Sequence, residues 1–520
     1  LLQIIIPSAS NGLSEGDEEY LKFPPNFLLG AATASYQTEG AWNVSGKGES
    51  TWDRFTHVGG HVVNNETGDV ACDSYHKYKE DVAILKNIGF NSYRFSLSWT
   101  RILPTGFANK INQDGIKFYK NLIDELLLNN IEPMITLYHW DHPQVIEDMG
   151  GWTNSKMVDW FTDYARVVFQ ELGENVKRYI TINEPWVICG QGYANGIHAP
   201  GKKIHGIAEY LCMHNVLKAH ANIYRLYDEE FKKIQGGEVG VNVHVVAYYP
   251  INARDNVSAD KDFEFMDGWT LHPIYSEKGD YPEIMKQAVA EKSREQGYPW
   301  SRLPEFEPEW IERIRGAADF LTLNHYTSRL VQPGSSGPIP SHTDDKGVIE
   351  SVDPSWKTAK SPWLKVGINN IVVLAKRYGN PPMYIVENGM SDDGFIQDPD
   401  RINYFRDYVK EVLLAIYRDH ANVKGYILWS LLDNFEWERG YSECFGIVHV
   451  DFNDPERRRT LKDSARWWRK TISHKIIICI SCRPINLAFI HILGVPKSNQ
   501  NWRSENLIGN VFQQKIEGIF

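Results

Sequence analysis

From about Tyr20 to Lys475 the chain alternates two patterns of apolar residues. Short runs rich in β-branched and aromatic residues occur at Phe27–Tyr36, Ser92–Trp99, Pro133–Trp140, Arg178–Pro185, Glu238–Pro250, Phe320–Ser328, Met383–Gly389 and Lys424–Trp429. Their length and composition predict strands. Between them, Tyr75–Ile88, Gly115–Asn129, Met157–Leu172, Tyr210–Phe231 and Tyr404–His420 repeat apolar residues at helical spacing with polar residues opposite. No stretch rich in Gly, Ser or Pro divides the alternation. Eight strands with helical crossovers predict one α/β domain, a (β/α)8 TIM barrel with extended loops over residues 20–475.

Chemistry in such a barrel gathers at the carboxyl ends of the strands. Here those ends offer Gln37, Arg94, His139 with Trp140, Asn183 with Glu184, Asn324 with Tyr326, Glu387 with Asn388, and Trp429. Any one of them has a plain reading as a turn former or helix cap. Glu184 and Glu387 stand out because each ends an otherwise apolar strand, where an unpartnered carboxylate costs several kcal/mol to bury. Two carboxyls facing each other across a cleft can cleave a glycosidic bond, one as acid and the other as nucleophile or stabiliser. Paired carboxylates also bind metal, but there is no His-Glu-x-x-His motif, no calcium loop and no third carboxylate at a neighbouring strand end. His139-Trp140-Asp141-His142 is the one ligand-like cluster, so neither metal nor cofactor is expected.

Composition narrows the partner. Fifty-five Lys and Arg against 66 Asp and Glu give a net charge of −11, which supplies no basic field for nucleic acid. Seventeen Trp, 26 Tyr and 22 Phe make 12% of the chain aromatic. Such rings serve as ordinary core or as platforms for the C–H faces of sugars.

At these residues the sequence resembles glycoside hydrolase family 1, the β-glucosidase family, from about Phe23 to Thr471. The resemblance rests on seven segments in order: Thr33-Ala34-Ser35-Tyr36-Gln37 with Glu39-Gly40, Tyr93-Arg94-Phe95-Ser96 with Trp99, Tyr138-His139-Trp140-Asp141, Thr181 to Pro185, Asn324-His325-Tyr326, Glu387-Asn388-Gly389, and Trp429 to Trp437. The chain is most similar to the insect members, which include myrosinase-like proteins. The resemblance implies a retaining β-glucosidase acting on terminal β-D-glucosyl residues, with galactosyl and fucosyl substrates as further candidates. Glu184 would be the acid/base and Glu387 the nucleophile, with carboxyls about 5–5.5 Å apart. It also implies that Arg94, Tyr326 and Asn324 support the nucleophile and that Gln37, His139, Asn183, Trp429, Glu436 and Trp437 hold the sugar. Substrates would be small β-glucosides or cello-oligosaccharides. Trp356 is the candidate platform for the aglycone and Arg329 the candidate cation beside it.

Two rivals remain. A thioglucosidase acting on sulfated glucosinolates keeps both glutamates in some insect members but needs a cation near the sulfate. Trp186 to Gly192, following the acid/base, supplies none, which leaves Arg329. A non-catalytic sugar-binding barrel is the second rival.

The chain ends read separately. Leu1 to Ser10 resembles the remnant of a signal peptide, within a leader of residues 1–19. With glycosylation acceptors at Asn43, Asn65 and Asn256 it points to a secreted glycoprotein. Six cysteines define no pairing, and the isolated Cys479-x-x-Cys482 does not read as a zinc or redox motif. The apolar stretch from Ile476 to Val495 is interrupted by Arg483, Pro484, Asn486 and His491, so no membrane span is expected. Residues 476–520 resemble nothing in the family and are expected to be a disordered tail. Oligomeric state is not readable.

Overall fold

Eight strands close into a ring: β1 (Leu28–Ala32), β2 (Ser92–Ser96), β3 (Glu132–Tyr138), β4 (Arg178–Asn183), β5 (Glu238–Pro250), β6 (Phe320–Pro333), β7 (Met383–Glu387) and β8 (Val423–Trp429). Each pairs in parallel with the next, and β8 returns to pair with β1 through Leu28–Gly425 to Ala32–Trp429. A parallel ladder requires a crossover between successive strands, and the helices supply it. Covered on both faces, these strands read as apolar runs rather than alternating ones; β1, β2 and β7 are buried throughout. This is a computed structural model that describes residues 21–252, 256–367 and 371–474. The leader-like start and the tail with Cys479 and Cys482 lie outside the described residues.

Helices α1 (Ser74–Ile88), α2 (Gln113–Leu128), α3 (Met157–Leu172), α4 (Ala208–Leu226), α5 (Pro308–Ile314), α6 (Ile371–Arg377), α7 (Pro399–Tyr417) and α8 (Asp463–His474) each follow the strand of the same number. Where side chains are described, their apolar stripes face the ring: α3 buries Met157, Phe161, Tyr164, Val168 and Leu172. In α8 the fully buried Trp468 packs against Phe90, Phe405 and Tyr426. The aromatic surplus thus divides. Trp52, Trp99, Trp152, Trp269 and Trp468 are core side chains with less than 2% exposure, whereas other tryptophans ring the cleft described below.

Several strand boundaries differ from expectation, two of them by more than three residues. The first strand ends at Ala32, and Ser35–Thr38 forms a helical turn, so Gln37 sits on that turn rather than on a strand end. The turn forms because the neighbouring ladder stops: β2 pairs with β1 only from Gly30 to Ala32, after which the Ser35 amide donates to Ser96 Oγ instead. Strand β6 runs on to Pro333 because its outer part gains an antiparallel partner, Val348–Ser351. Gly389 brings the ends of β7 and β8 together, since a Cβ there would lie 1.8 Å from the Trp429 carbonyl oxygen. Among the described residues, no helix is long and apolar enough to cross a membrane.

Candidate active site

At the carboxyl ends of the strands lies a cavity of about 410 Å3, lined among others by His139, Tyr326, Glu387, Trp429, Glu436 and Trp437. Parallel register sets its floor. Arg94 of β2 is wholly buried and donates to Glu387 Oε1 across the ring. It also donates to Asn183 Oδ1 at 2.6 Å and to Thr136 Oγ1 at 3.0 Å. Tyr326 Oη donates to the other Glu387 oxygen at 2.7 Å. Burial, then the Glu387 charge, push the Tyr326 phenol well above its ordinary range, which keeps its proton available for donation. Both Glu387 oxygens are therefore held by donors, an arrangement that suits an ionised carboxylate.

Glu184 has the opposite surroundings. Its backbone turns left-handed at φ +45°, and the residue is 5% exposed. Burial and then the Glu387 charge raise its carboxyl to about 8, against the lowering effects of the Asn324 hydrogen bond and Arg94. Two neighbouring carboxyls thus have distinct surroundings: Glu387 lines the cavity, gripped by a cation and a phenol, while Glu184, proton-loaded at neutral pH, interacts with it without being among the lining residues. Asn324 belongs with Glu184 and not with the nucleophile group. Although paired in register with Glu387, it directs its amide across the ring to Glu184 Oε1.

The sugar-facing groups have defined hydrogen-bonding roles. Asn183 Oδ1 accepts from Arg94 and from Asn242 at 2.6 Å, so its amide nitrogen faces His139 Nε2 at 3.1 Å. Nε2 must accept there, which puts the imidazole proton on Nδ1, a buried atom without a partner. Burial and the Arg94 charge depress the His139 pKa well below its ordinary value, so the ring is neutral and Nδ1–H is an unused donor. Gln37 commits its amide nitrogen to Asn434 Oδ1 at 2.9 Å and the Phe435 carbonyl at 2.8 Å, leaving its buried Oε1 as an unused acceptor. Burial, then Glu443, Glu438 and Glu387, raise the Glu436 carboxyl well above its ordinary value. His139 stacks on Trp429 and Trp437, both at 5.8 Å.

Of the expected sugar-side residues, His139, Trp429, Glu436 and Trp437 line the cavity, whereas Gln37 and Asn183 lie behind them, bonded to Glu436 and His139; the outer wall differs from expectation. Trp356 is not among the residues lining the cavity. The hairpin of Lys357–Thr358 with Lys365–Val366 instead presents Trp363 from its turn, 5.7 Å from the Tyr326 ring and nearly perpendicular to it. Trp186 lines the wall with it. Arg329 does line the cavity, yet it donates to Thr327 Oγ1 at 2.9 Å and to the Trp363 carbonyl at 2.8 Å, with Glu350 at 3.6 Å. Two further cations were not foreseen: Lys346, held by Asp262 and Glu350, and Arg439, held by Glu443. Lys346 lies far from the motifs in sequence, and Arg439, only two residues beyond Trp437, carries no periodic signal; loop packing brings both in. Cys189 and Cys212 form a disulfide joining the segment after Glu184 to α4, a pairing that spacing did not reveal.

The model of glycosyl hydrolase family 1 matches residues 19–476. Myrosinase 1 of Brevicoryne brassicae is 47% identical over 461 residues, which are 87% of this chain and 98% of that protein. The cytosolic beta-glucosidase of Homo sapiens is 42% identical over 464 residues, covering 87% and 98%. Among solved structures, a Glu-to-Gln mutant of a rice beta-glucosidase in a covalent complex with Glc aligns with a TM-score of 0.81 at 35% identity, over 86% of this chain and 99% of that one.

Proposed function

The chain belongs to glycosyl hydrolase family 1 and is a glycoside hydrolase, and from that premise we propose that it is a retaining β-glucosidase built on a (β/α)8 barrel. The observation that carries the reading is the asymmetry of the two carboxyls: Glu387 is held by Arg94 and Tyr326, while Glu184 keeps its proton up to about pH 8. Glu387 attacks the anomeric carbon as Glu184 protonates the departing oxygen, giving a glycosyl-enzyme. Glu184, now ionised, then takes a proton from the water that releases the sugar with its configuration retained. The covalent sugar complex of the rice relative supports this course. His139 Nδ1–H and Gln37 Oε1 bind sugar hydroxyls, aided by Asn183 and Glu436, with Trp429 and Trp437 as the platform. The uncommitted hydroxyl-binding groups and the acidic surroundings of Glu436, set by Glu443, Glu438 and Glu387, favour an unphosphorylated glucoside, since a phosphate there would be repelled. Trp186 and Trp363 flank the aglycone.

A second reading, thioglucoside hydrolysis, draws on the likeness to Myrosinase 1 and on Arg329 in the wall. A sulfate there would compete with Glu350 for the guanidinium, so the O-glucoside is preferred. The glycosylation acceptors and the Cys189–Cys212 disulfide, a bond typical of oxidising compartments, support a secreted enzyme.

The test is hydrolysis of aryl β-D-glucoside, aryl β-D-galactoside and a glucosinolate by wild type and Glu387→Gln, with the anomer released followed by NMR. Glucoside turnover giving the β-anomer first, lost in the variant, is expected. Release of the α-anomer would reject retention, and faster glucosinolate turnover would reject the O-glucoside preference.

A further inference from the structure

The wall contains a connection that the reaction above does not use. Ile197 and His198 follow the π-helical segment Val187–Asn195, which starts just after Glu184, and Glu438 lies two residues beyond Glu436. His198 Nε2 lies 2.8 Å from Glu438 Oε2 although 240 residues separate them. Both residues line the cavity. The imidazole is wedged among rings, with centroids 5.5 Å from Trp52, 5.5 Å from Trp140 and 6.2 Å from Trp437. At Glu438, burial would raise the carboxyl, but the hydrogen bond and charge of His198 outweigh it and leave the group below its ordinary value.

Each end of this contact is firmly mounted. The His198 segment is tied back by its own amide and that of Ile197, both donating to the Gln191 carbonyl. It lies inside the loop closed by the Cys189–Cys212 disulfide. Glu438 sits in the single turn Trp437–Arg439, which is closed by the Glu436 amide donating to the Gly440 carbonyl at 2.7 Å. That turn holds Trp437 at φ +51°, a conformation a bulky side chain keeps only when its surroundings over-determine it. A hydrogen bond to the next residue, from a ring that also packs near the indole, is such a restraint.

We infer that His198 and Glu438 form a clasp that joins the wall after the acid/base to the turn bearing Glu436 and Trp437, and that it acts as a pair of positioning residues for sugar binding. The inference rests on the glucosidase reading of the cavity. Among the described residues the contact joins His198 and Glu438 to each other and not to Glu184 or Glu387, so the clasp governs how well the sugar is seated rather than the bond cleavage.

The test is a double-mutant cycle in the full chain: His198→Ala, Glu438→Ala, both together, and His198→Gln, whose amide can donate to Glu438 in place of the imidazole. Steady-state kinetics on an aryl β-D-glucoside, glucose binding by tryptophan fluorescence and thermal melting are measured for each. Each alanine variant is expected to raise KM and weaken glucose binding about tenfold, the loss of one charge-assisted hydrogen bond, while kcat stays within about twofold of wild type. The double variant should be no worse than either single one, and His198→Gln should recover most of the affinity. A lowered melting temperature with unchanged KM and glucose affinity would overturn the clasp, leaving the contact merely structural. Multiplying single effects would do the same. A wild type that binds glucose but hydrolyses nothing would reject the glucosidase reading, while the binding cycle would still decide on the clasp. No glucose binding by wild type would overturn both.

Discussion

Raising the pH should switch hydrolysis off through Glu184. The residue is 5% exposed and its carboxyl keeps its proton to about pH 8, first because it is buried and then because Glu387 lies near it, against the pull of Asn324 and Arg94. A group titrating there is protonated in about 90% of molecules at pH 7 and about 9% at pH 9, so kcat/KM falls roughly tenfold between them wherever proton donation limits the rate. The assay is kcat/KM across pH 5–10 for an alkyl glucoside, whose leaving group needs the proton, and for a dinitrophenyl glucoside, whose leaving group does not. The alkyl substrate should show the basic limb; the dinitrophenyl substrate should lack it. Glu184→Gln should abolish the limb along with alkyl-glucoside turnover. The same group makes a stability prediction with a definite sign. Its folded value lies above the unfolded one, so its contribution to stability is complete below about pH 4.5 and is lost as pH rises through about 8. Melting curves of Glu184→Gln should lack that loss. A basic limb of equal depth for both substrates, or one centred below about pH 6, would refute the assignment of the proton to Glu184.

Three further outcomes follow from named contacts. Arg94→Met leaves Glu387 buried without its cation, which should lower kcat/KM at least about a hundredfold and destabilise the fold by about 3–5 kcal/mol; comparable turnover in denaturant-matched samples would contradict the role of the ion pair. Trp363→Ala should raise KM for aryl glucosides several-fold while Trp356→Ala leaves it unchanged, because Trp363 and not Trp356 lines the cavity; the reverse order in steady-state kinetics would restore Trp356. Replacing Cys189 and Cys212 by alanine should cost about 3 kcal/mol, the loop-closure contribution expected from the model-dependent entropy argument for a separation of 23 residues. Denaturant unfolding checks this, and an unchanged midpoint would show that the bond adds nothing to the fold.

Much of the floor of the site was legible because it depends on strand order. Once eight parallel strands close on themselves, residues at equivalent strand ends must meet, and Arg94, Asn183, Tyr326 and Glu387 do so through direct hydrogen bonds. What was not legible depends on side-chain direction and on loops. Asn324 shares register with Glu387 but bonds to Glu184, because backbone neighbours need not be side-chain partners. Lys346, Arg439, His198 and Trp363 enter the wall from connections whose course no periodicity encodes. The Cys189–Cys212 pair likewise reflects how a loop folds back on α4.

The errors in strand length carry information of their own. The apolar pattern extends the third strand through Trp140 and the fourth through Pro185, whereas the ladders stop at Tyr138 and Asn183. Between these limits the backbone turns left-handed, at φ +78° for Trp140 and +45° for Glu184, and it does so again at Trp437. Left-handed backbone elsewhere among the described residues falls mostly on glycine, and beyond glycine mostly on Asn, Asp, Ser and Ala; glycine, Asn and Asp tolerate it far better than a glutamate or an indole. Three large side chains therefore break the local rule around one cavity, each at a cost of order 1–3 kcal/mol. Where they sit explains why the strain persists. Trp140 donates its indole N–H to the Asn183 carbonyl at 2.8 Å, Glu184 is fixed through its amide to the Asn242 carbonyl at 3.0 Å, and Trp437 lies beside the His198–Glu438 contact. Because the strain persists only while these contacts outweigh it, removing one, as in His198→Ala, should let the strained residue relax at a net loss of stability together with weaker sugar binding, read by thermal melting beside KM. A higher melting temperature would show that the contact does not hold the strain.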